Sequence, residues 1–165
     1  RDLRMSRGLG DVYKRQMWMD TKYEPGTVKV VAYDADGKAV AEKELHTAGK
    51  PDHIELVADR NVIKADGKDL SFVTVRVVDR DGNLCPDASH EISFKVKGEG
   101  SYRAGANGNA ASLESFQHPK MKVFSGMMTA IVSSTEQPGK ITLEATGKGL
   151  KKGALIIESC QEAKK

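Results

Sequence analysis

Cysteines, aromatic residues and long apolar runs are all scarce in this chain, and each scarcity removes a class of protein. Two cysteines occur, Cys85 and Cys160, too few for a disulfide framework or a cysteine-built zinc site. Two unpaired thiols are therefore expected. Aromatics make up 5% of the residues, with a single tryptophan, which argues against a binding face paved with exposed rings. The longest apolar stretches, such as ALII at 154–157, fall far short of the ~20 residues of a membrane-spanning helix. His46, His53, His90 and His118 show neither His-x-His nor i,i+4 spacing, and no serine or cysteine sits in a nucleophile elbow. Zinc chemistry, nucleophilic catalysis and a bound cofactor are not expected.

The formal net charge is +3, and its location matters more than its size. Residues 1–16 (RDLRMSRGLGDVYKRQ) hold Arg1, Arg4, Arg7, Lys14 and Arg15 against Asp2 and Asp11. Five minus two accounts for the whole excess, so the rest of the chain is neutral and offers no basic face for nucleic acid. Neither nucleic acid nor a membrane is expected as a partner. The leader 1–16 has no apolar core and no small-residue cleavage site, so it does not read as a secretory signal. Without strand or helix periodicity, it reads as non-native sequence from cloning or assembly.

What is present is strand after strand. Residues 27–33 (TVKVVAY) are rich in β-branched side chains, DADG at 34–37 turns the chain, and 38–45 returns as a hairpin. Residues 47–51 (TAGKP) interrupt any ladder and read as a linker. Beyond it Ile54, Leu56 and Ala58 alternate, Val73, Val75 and Val77 share a face, and Ile92, Phe94 and Val96 alternate with polar neighbours. A further strand is expected over 123–133, another around Ile141, Leu143 and Ala145, and a last one over 154–159. Strands at this spacing predict an all-β, immunoglobulin-like sandwich of about seven strands. Helical periodicity is missing, which excludes a nucleotide-binding α/β fold.

The segment 17–49 stands apart. A lone hairpin is marginal in water, and leaving Val28, Val30 and Val31 exposed forfeits about 1.5–3 kcal/mol per side chain. It reads as the last hairpin of a preceding sandwich whose other strands are not in this chain, with Trp18 and Tyr23 belonging to that core. The expected organisation is leader 1–16, hairpin 17–49, sandwich 50–160 and a polar tail 161–165.

Specific strings then narrow the field. YEPGTVKVVAY (23–33), ADGKDLSFVTV (65–75), VDRDGN (78–83), GANGN (105–109), ESF (114–116) and PGKITL (138–143) occur in that order. Together they resemble the C-terminal region of bacterial glycoside hydrolase family 2 enzymes, the β-galactosidase group. The resemblance implies that the first piece ends one sandwich domain and the second is an immunoglobulin-like C-terminal domain. It also implies a parent that hydrolyses terminal β-glycosidic bonds on a separate (β/α)8 barrel of about 250 residues. The two catalytic carboxylates, about 5–5.5 Å apart in a retaining enzyme, would lie on that barrel, so no catalytic residue carries over. The partners implied are the other domains of the parent. A periplasmic or extracellular location follows from the resemblance alone.

Two constellations invite a site. The Asp-x-Asp-Gly runs at Asp34 and Asp79 hint at calcium, but a calcium loop of the helix–loop–helix kind places its glycine at the sixth position. Here glycine comes fourth, which suits a tight turn. The second is the glycine- and asparagine-rich stretch from residue 98 into the hundred-and-tens, where Tyr102, Arg103, Asn107, Asn109 and Glu114 carry groups that contact sugars or a neighbouring domain. The competing structural reading is a crossover between sheets over 98–111, with Asn107 and Gly108 in unusual backbone angles and Phe116 plugging the core. Met121, Met127 and Met128 read as core filler. An accessory domain is the leading expectation; a carbohydrate-binding module and a bacterial immunoglobulin-like adhesion domain are the alternatives.

Overall fold

The computed structural model describes residues 22–161; the leader 1–16, Trp18 and the end of the tail lie outside the described residues. The chain divides into two compact units, one ending at Leu45 and the other beginning at His46. In the first, β1 (Thr27–Tyr33) pairs with β2 (Ala39–His46) as a two-stranded sheet. The DADG turn closes it. The Asp34 carboxylate accepts the Asp36 and Lys38 backbone N–H groups at 3.0 and 2.8 Å, and Gly37 takes a φ of 77°. Lys29 bridges Glu42 and Glu44 at 3.0 Å each. Val28, Val40 and Leu45 are more than half exposed within this hairpin.

The second unit is a sandwich of two sheets. One has five strands in the order β4–β11–β10–β6–β8 and the other four in the order β3–β5–β9–β7. The five-stranded sheet comprises β4 (Val62–Lys64), β6 (Glu91–Gly98), β8 (Lys120–Lys122), β10 (Gly139–Gly147) and β11 (Gly153–Cys160). The four-stranded sheet comprises β3 (His53–Ala58), β5 (Leu70–Val78), β7 (Gly100–Ala106) and β9 (Met127–Ser134). No helix occurs among the described residues. Pairing within the sheets is antiparallel except where β4 joins β11 in parallel, and an isolated parallel bridge links His53 to Lys151.

Alternation explains the packing. Val73, Val75 and Val77 on β5 and Met128, Ala130 and Val132 on β9 face Ile92 and Phe94 on β6 and Ile141, Leu143 and Ala145 on β10. Each such side chain contributes roughly 1.5–3 kcal/mol on leaving water. The edge strands β4 and β8 are three residues long, which leaves little unpaired ladder for another chain to join.

Three sequence expectations change here. The sandwich has nine strands rather than about seven, because β4 and β8 are too short to show a period and β7 falls inside the stretch read as a crossover. The switch between sheets needs a single residue, Glu99, between β6 and β7. Gly98 makes it possible with a φ of 87°, and a Cβ there would collide with the Lys140 carbonyl. The strand expected over 123–133 starts later, as β9 from Met127, because a tight turn joins Phe124 to Met127. Ser125 and Gly126 occupy that turn at φ values of 51° and 74°, the mirror-image geometry that hairpin twist favours.

Candidate functional site

The five residues singled out in the sequence sit on β7 and the loop after it. The structure brings only some of them together. Asn107 and Glu114 meet at the end of β8. The Asn107 side-chain amide donates to the Lys122 carbonyl at 2.9 Å and to Glu114 Oε2 at 3.5 Å, and the Lys122 N–H faces both Glu114 oxygens at 3.3–3.4 Å. Asn107 Oδ1 accepts the Asn109 N–H at 3.0 Å, and Asn109 Oδ1 accepts the Ala111 N–H at 3.0 Å. These polar groups stitch the loop to itself and to β8. Glu114 thereby spends its carboxylate on the Lys122 backbone N–H and the Asn107 amide.

Tyr102 turns the other way. Its ring stacks on Phe94, centroids 5.5 Å apart and planes 18° from parallel, so its face is used inside the sandwich. Its hydroxyl is buried without a hydrogen-bond partner, and burial pushes its pKa up to about 12. A Cβ on Gly105 would strike that hydroxyl. Arg103 is exposed on a bulge, where the register between β7 and β9 shifts between Tyr102 and Ala104.

Other expectations are corrected. Phe116 is 59% exposed and plugs nothing; its carbonyl accepts the Gly105 N–H at 2.8 Å, so the backbone is anchored while the ring stays out. Gly108 has a φ of 74°, but Asn107 does not share a positive φ. Met121 and Met128 are buried as expected, whereas Met127 is 38% exposed.

Sequence reasoning missed two polar hubs that a single string does not reveal. Asp79 is buried and accepts the Asp81 and Asn83 N–H groups, the Asn83 side-chain amide and, at 2.6 Å, the N–H of Gly49 in the linker. Those bonds, the Gly49 one foremost, hold its pKa down at about 2. The Asp-x-Asp-Gly run is thus a turn with a clamp attached. Asp52 receives Lys151 at 2.9 Å, His53 at 3.1 Å and Arg80 at 3.7 Å. Its carboxyl is lowered chiefly by the Lys151 hydrogen bond. No cluster of three metal-ligating side chains occurs among the described residues. Cys85 is buried, Cys160 is exposed, and both are free.

Comparison with known proteins gives these features a setting. Residues 54–156 match the family model of glycoside hydrolase family 2 C-terminal domain 5, and residues 7–41 match a domain of unknown function, DUF4982. The beta-galactosidase BoGH2A of Bacteroides ovatus is 49% identical over 138 residues, which are 84% of this chain and 16% of that protein. A beta-galactosidase of Thermoanaerobacter pseudethanolicus is 38% identical over 110 residues, 67% of this chain and 13% of that one. Among solved structures, a glycosyl hydrolase family 2 member from Bacteroides cellulosilyticus superposes with a TM-score of 0.79 at 33% identity, covering 86% of this chain and 18% of its own. The chain thus spans less than a fifth of the length of these relatives. Sandwich topology and sequence identity agree: this chain belongs to glycoside hydrolase family 2, as a C-terminal region carrying that family's C-terminal domain 5.

Proposed function

We propose that this chain is a non-catalytic, accessory C-terminal part of a longer glycoside hydrolase family 2 enzyme that cleaves terminal β-galactosides. In this reading residues 50–160 are an immunoglobulin-like domain that packs on the other domains of the enzyme. Residues 17–49 are the final hairpin of the sandwich before it. The observation that carries the reading is a mismatch of shares. Most of this chain aligns to about a sixth of a β-galactosidase, and of the candidate polar groups all but the exposed Arg103 are engaged within the fold. Glu114 and Asn107 bind the β8 backbone, and Tyr102 stacks on Phe94. A retaining glycosidase needs two carboxylates free to meet the scissile bond, and a sugar platform needs an exposed ring face.

The test is to express the longer reading frame that contains this sequence beside the 165-residue chain and assay both on nitrophenyl β-galactoside. Turnover is expected from the longer protein alone. Turnover by the chain itself, or micromolar galactoside binding to it by calorimetry, overturns the accessory reading.

A further inference from the structure

Of the four asparagines in the chain, Asn61 precedes valine, Asn83 leucine, Asn109 alanine and Asn107 glycine. The neighbour matters because the backbone nitrogen of the next residue is the nucleophile that attacks an asparagine amide, one source of this residue's thermal lability. A β-branched neighbour crowds that nitrogen, whereas glycine puts no side chain in the way. At Gly108 the approach is open. The residue is exposed, its φ is 74°, and nothing lies within 4 Å of where a Cβ would sit. Its N–H has no acceptor among the described residues, unlike those of Asn109 and Ala111. The amide under attack is held in place. The Asn109 N–H donates to Asn107 Oδ1 at 3.0 Å, so it meets the oxygen on which negative charge gathers as the carbonyl carbon becomes tetrahedral. Asn107 Nδ2 donates to the Lys122 carbonyl at 2.9 Å and to Glu114 Oε2 at 3.5 Å.

We propose that Asn107 is a self-modification site, at which spontaneous deamidation unfastens the loop between β7 and β8. In the first step the Gly108 nitrogen bonds to Asn107 Cγ and gives its proton to water. The Cγ–Nδ2 bond breaks, and the departing nitrogen takes a proton from water and leaves as ammonia. Water then opens the cyclic imide at either carbonyl, giving aspartate or isoaspartate. Nothing is oxidised or reduced: an amide and water become a carboxylate and ammonium. The product is what the surroundings cannot hold. An amide that donates becomes a carboxylate that only accepts, and it faces the Lys122 carbonyl and the Glu114 carboxylate, both acceptors. Like charges this close repel. Glu114 also receives the Lys122 N–H, so driving it away releases both ties to β8. The Phe116 carbonyl, which accepts the Gly105 N–H, still holds the far side of the loop to β7. Deamidation runs one way, so the loop carries a clock that opens it as the protein ages.

Ageing the 165-residue chain in mildly alkaline buffer, with peptide mapping by mass spectrometry, tests the chemistry. Aspartate and isoaspartate are expected at residue 107 while Asn61, Asn83 and Asn109 remain intact. An unchanged Asn107, or equal conversion at all four asparagines, overturns the site. Asn107→Asp supplies one product at once and tests the consequence. Hydrogen exchange of the Lys122 amide and of peptides from 107–119 is expected to quicken about ten-fold or more, as the loss of a bond to a charged group allows. Exchange along the β10–β11 ladder should not move. Adding Glu114→Gln to Asn107→Asp restores a donor between the two side chains and should return most of the protection. An Asn107→Asp chain as protected as the parent, or a double variant as open as the single one, overturns the unfastening. Should β10 and β11 open as well, the comparison is read instead on aged and fresh parent chain, separated by their charge. Faster exchange confined to the loop then supports the clock, and equal exchange refutes it.

Discussion

The backbone N–H of Gly49 donates a 2.6 Å hydrogen bond to Oδ2 of Asp79, thirty positions further along the chain. One carboxylate therefore shapes the 79–83 turn and pins the strap that leads into the sandwich.

That clamp has an acid signature. The Asp79 carboxyl is held at about 2, below its ordinary 3.8, so the folded state favours the ionised form. The resulting stability is fully present above about pH 4 and is lost as pH falls toward about 2. Asp52, Asp66, Asp69 and Glu144 are lowered too and act in the same direction. Asp79→Asn is expected to lower the melting temperature most at neutral pH. The gap to the parent chain should shrink steadily on acidification, followed by circular dichroism from pH 7 to 2. A gap independent of pH would mean that the carboxylate is not the element holding Gly49.

Glycines at positive φ separate into two kinds. Gly98 and Gly108 have similar φ values, 87° and 74°, but a Cβ at 98 meets the Lys140 carbonyl while one at 108 meets nothing within 4 Å. Gly108→Ala should cost about 1 kcal/mol, the strain of a left-handed backbone alone. Gly98→Ala should cost about 3 kcal/mol or more, because strain and overpacking combine where the sheets exchange. Urea denaturation of the two variants gives the comparison, and equal losses would refute it.

Three aromatics should respond in three ways. Phe94 is buried against Tyr102, so Phe94→Ala should destabilise by about 3–5 kcal/mol. Phe116→Ala should change stability by no more than about 0.5 kcal/mol, as an exposed ring does. Tyr102→Phe should raise stability by up to about 1 kcal/mol, since it removes a buried hydroxyl that has no partner. A marked loss on Tyr102→Phe would show that the hydroxyl is bonded in solution.

The thiols should be told apart by alkylation. Burial, with the Asp79 and Asp87 carboxylates adding to it, raises the Cys85 thiol above its ordinary value, and a protonated buried thiol is a poor nucleophile. Cys160 is exposed on the last strand. Iodoacetamide at neutral pH is expected to modify Cys160 alone in the native chain and both cysteines after denaturation, by peptide mapping. Rapid native modification of Cys85 would contradict the packing around it.

The sandwich was legible where alternation was long. Ile92, Phe94 and Val96, and likewise Ile141, Leu143 and Ala145, declare a period of two over enough residues to name a buried face. β7 hid because its sequence, GSYRAGA, carries two glycines that look like loop. Their missing side chains leave room for neighbours: at Gly100 a Cβ would lie 2.7 Å from the Ile141 side chain, and at Gly105 it would strike Tyr102. A glycine kept for close packing looks the same in a string as one kept for a turn.

The candidate site was legible only as a set of residue types. Asn107 and Glu114 are polar groups near glycine in any reading, and whether they face a ligand or a neighbouring backbone depends on Lys122, which arrives on another strand. Phe116 failed as a core residue for the same reason: hydrophobicity favours burial, but only the path of the loop decides whether there is a core beneath it.

By itself the sequence determined the class of fold, because period-two burial is local and each strand announces its own inner face. The tertiary structure alone decided which strands are neighbours, that Asp79 holds Gly49, and that Glu114 meets the Lys122 backbone. Those relationships join residues from different strands and loops, and their energies arise only once the backbone has brought the partners within bonding distance.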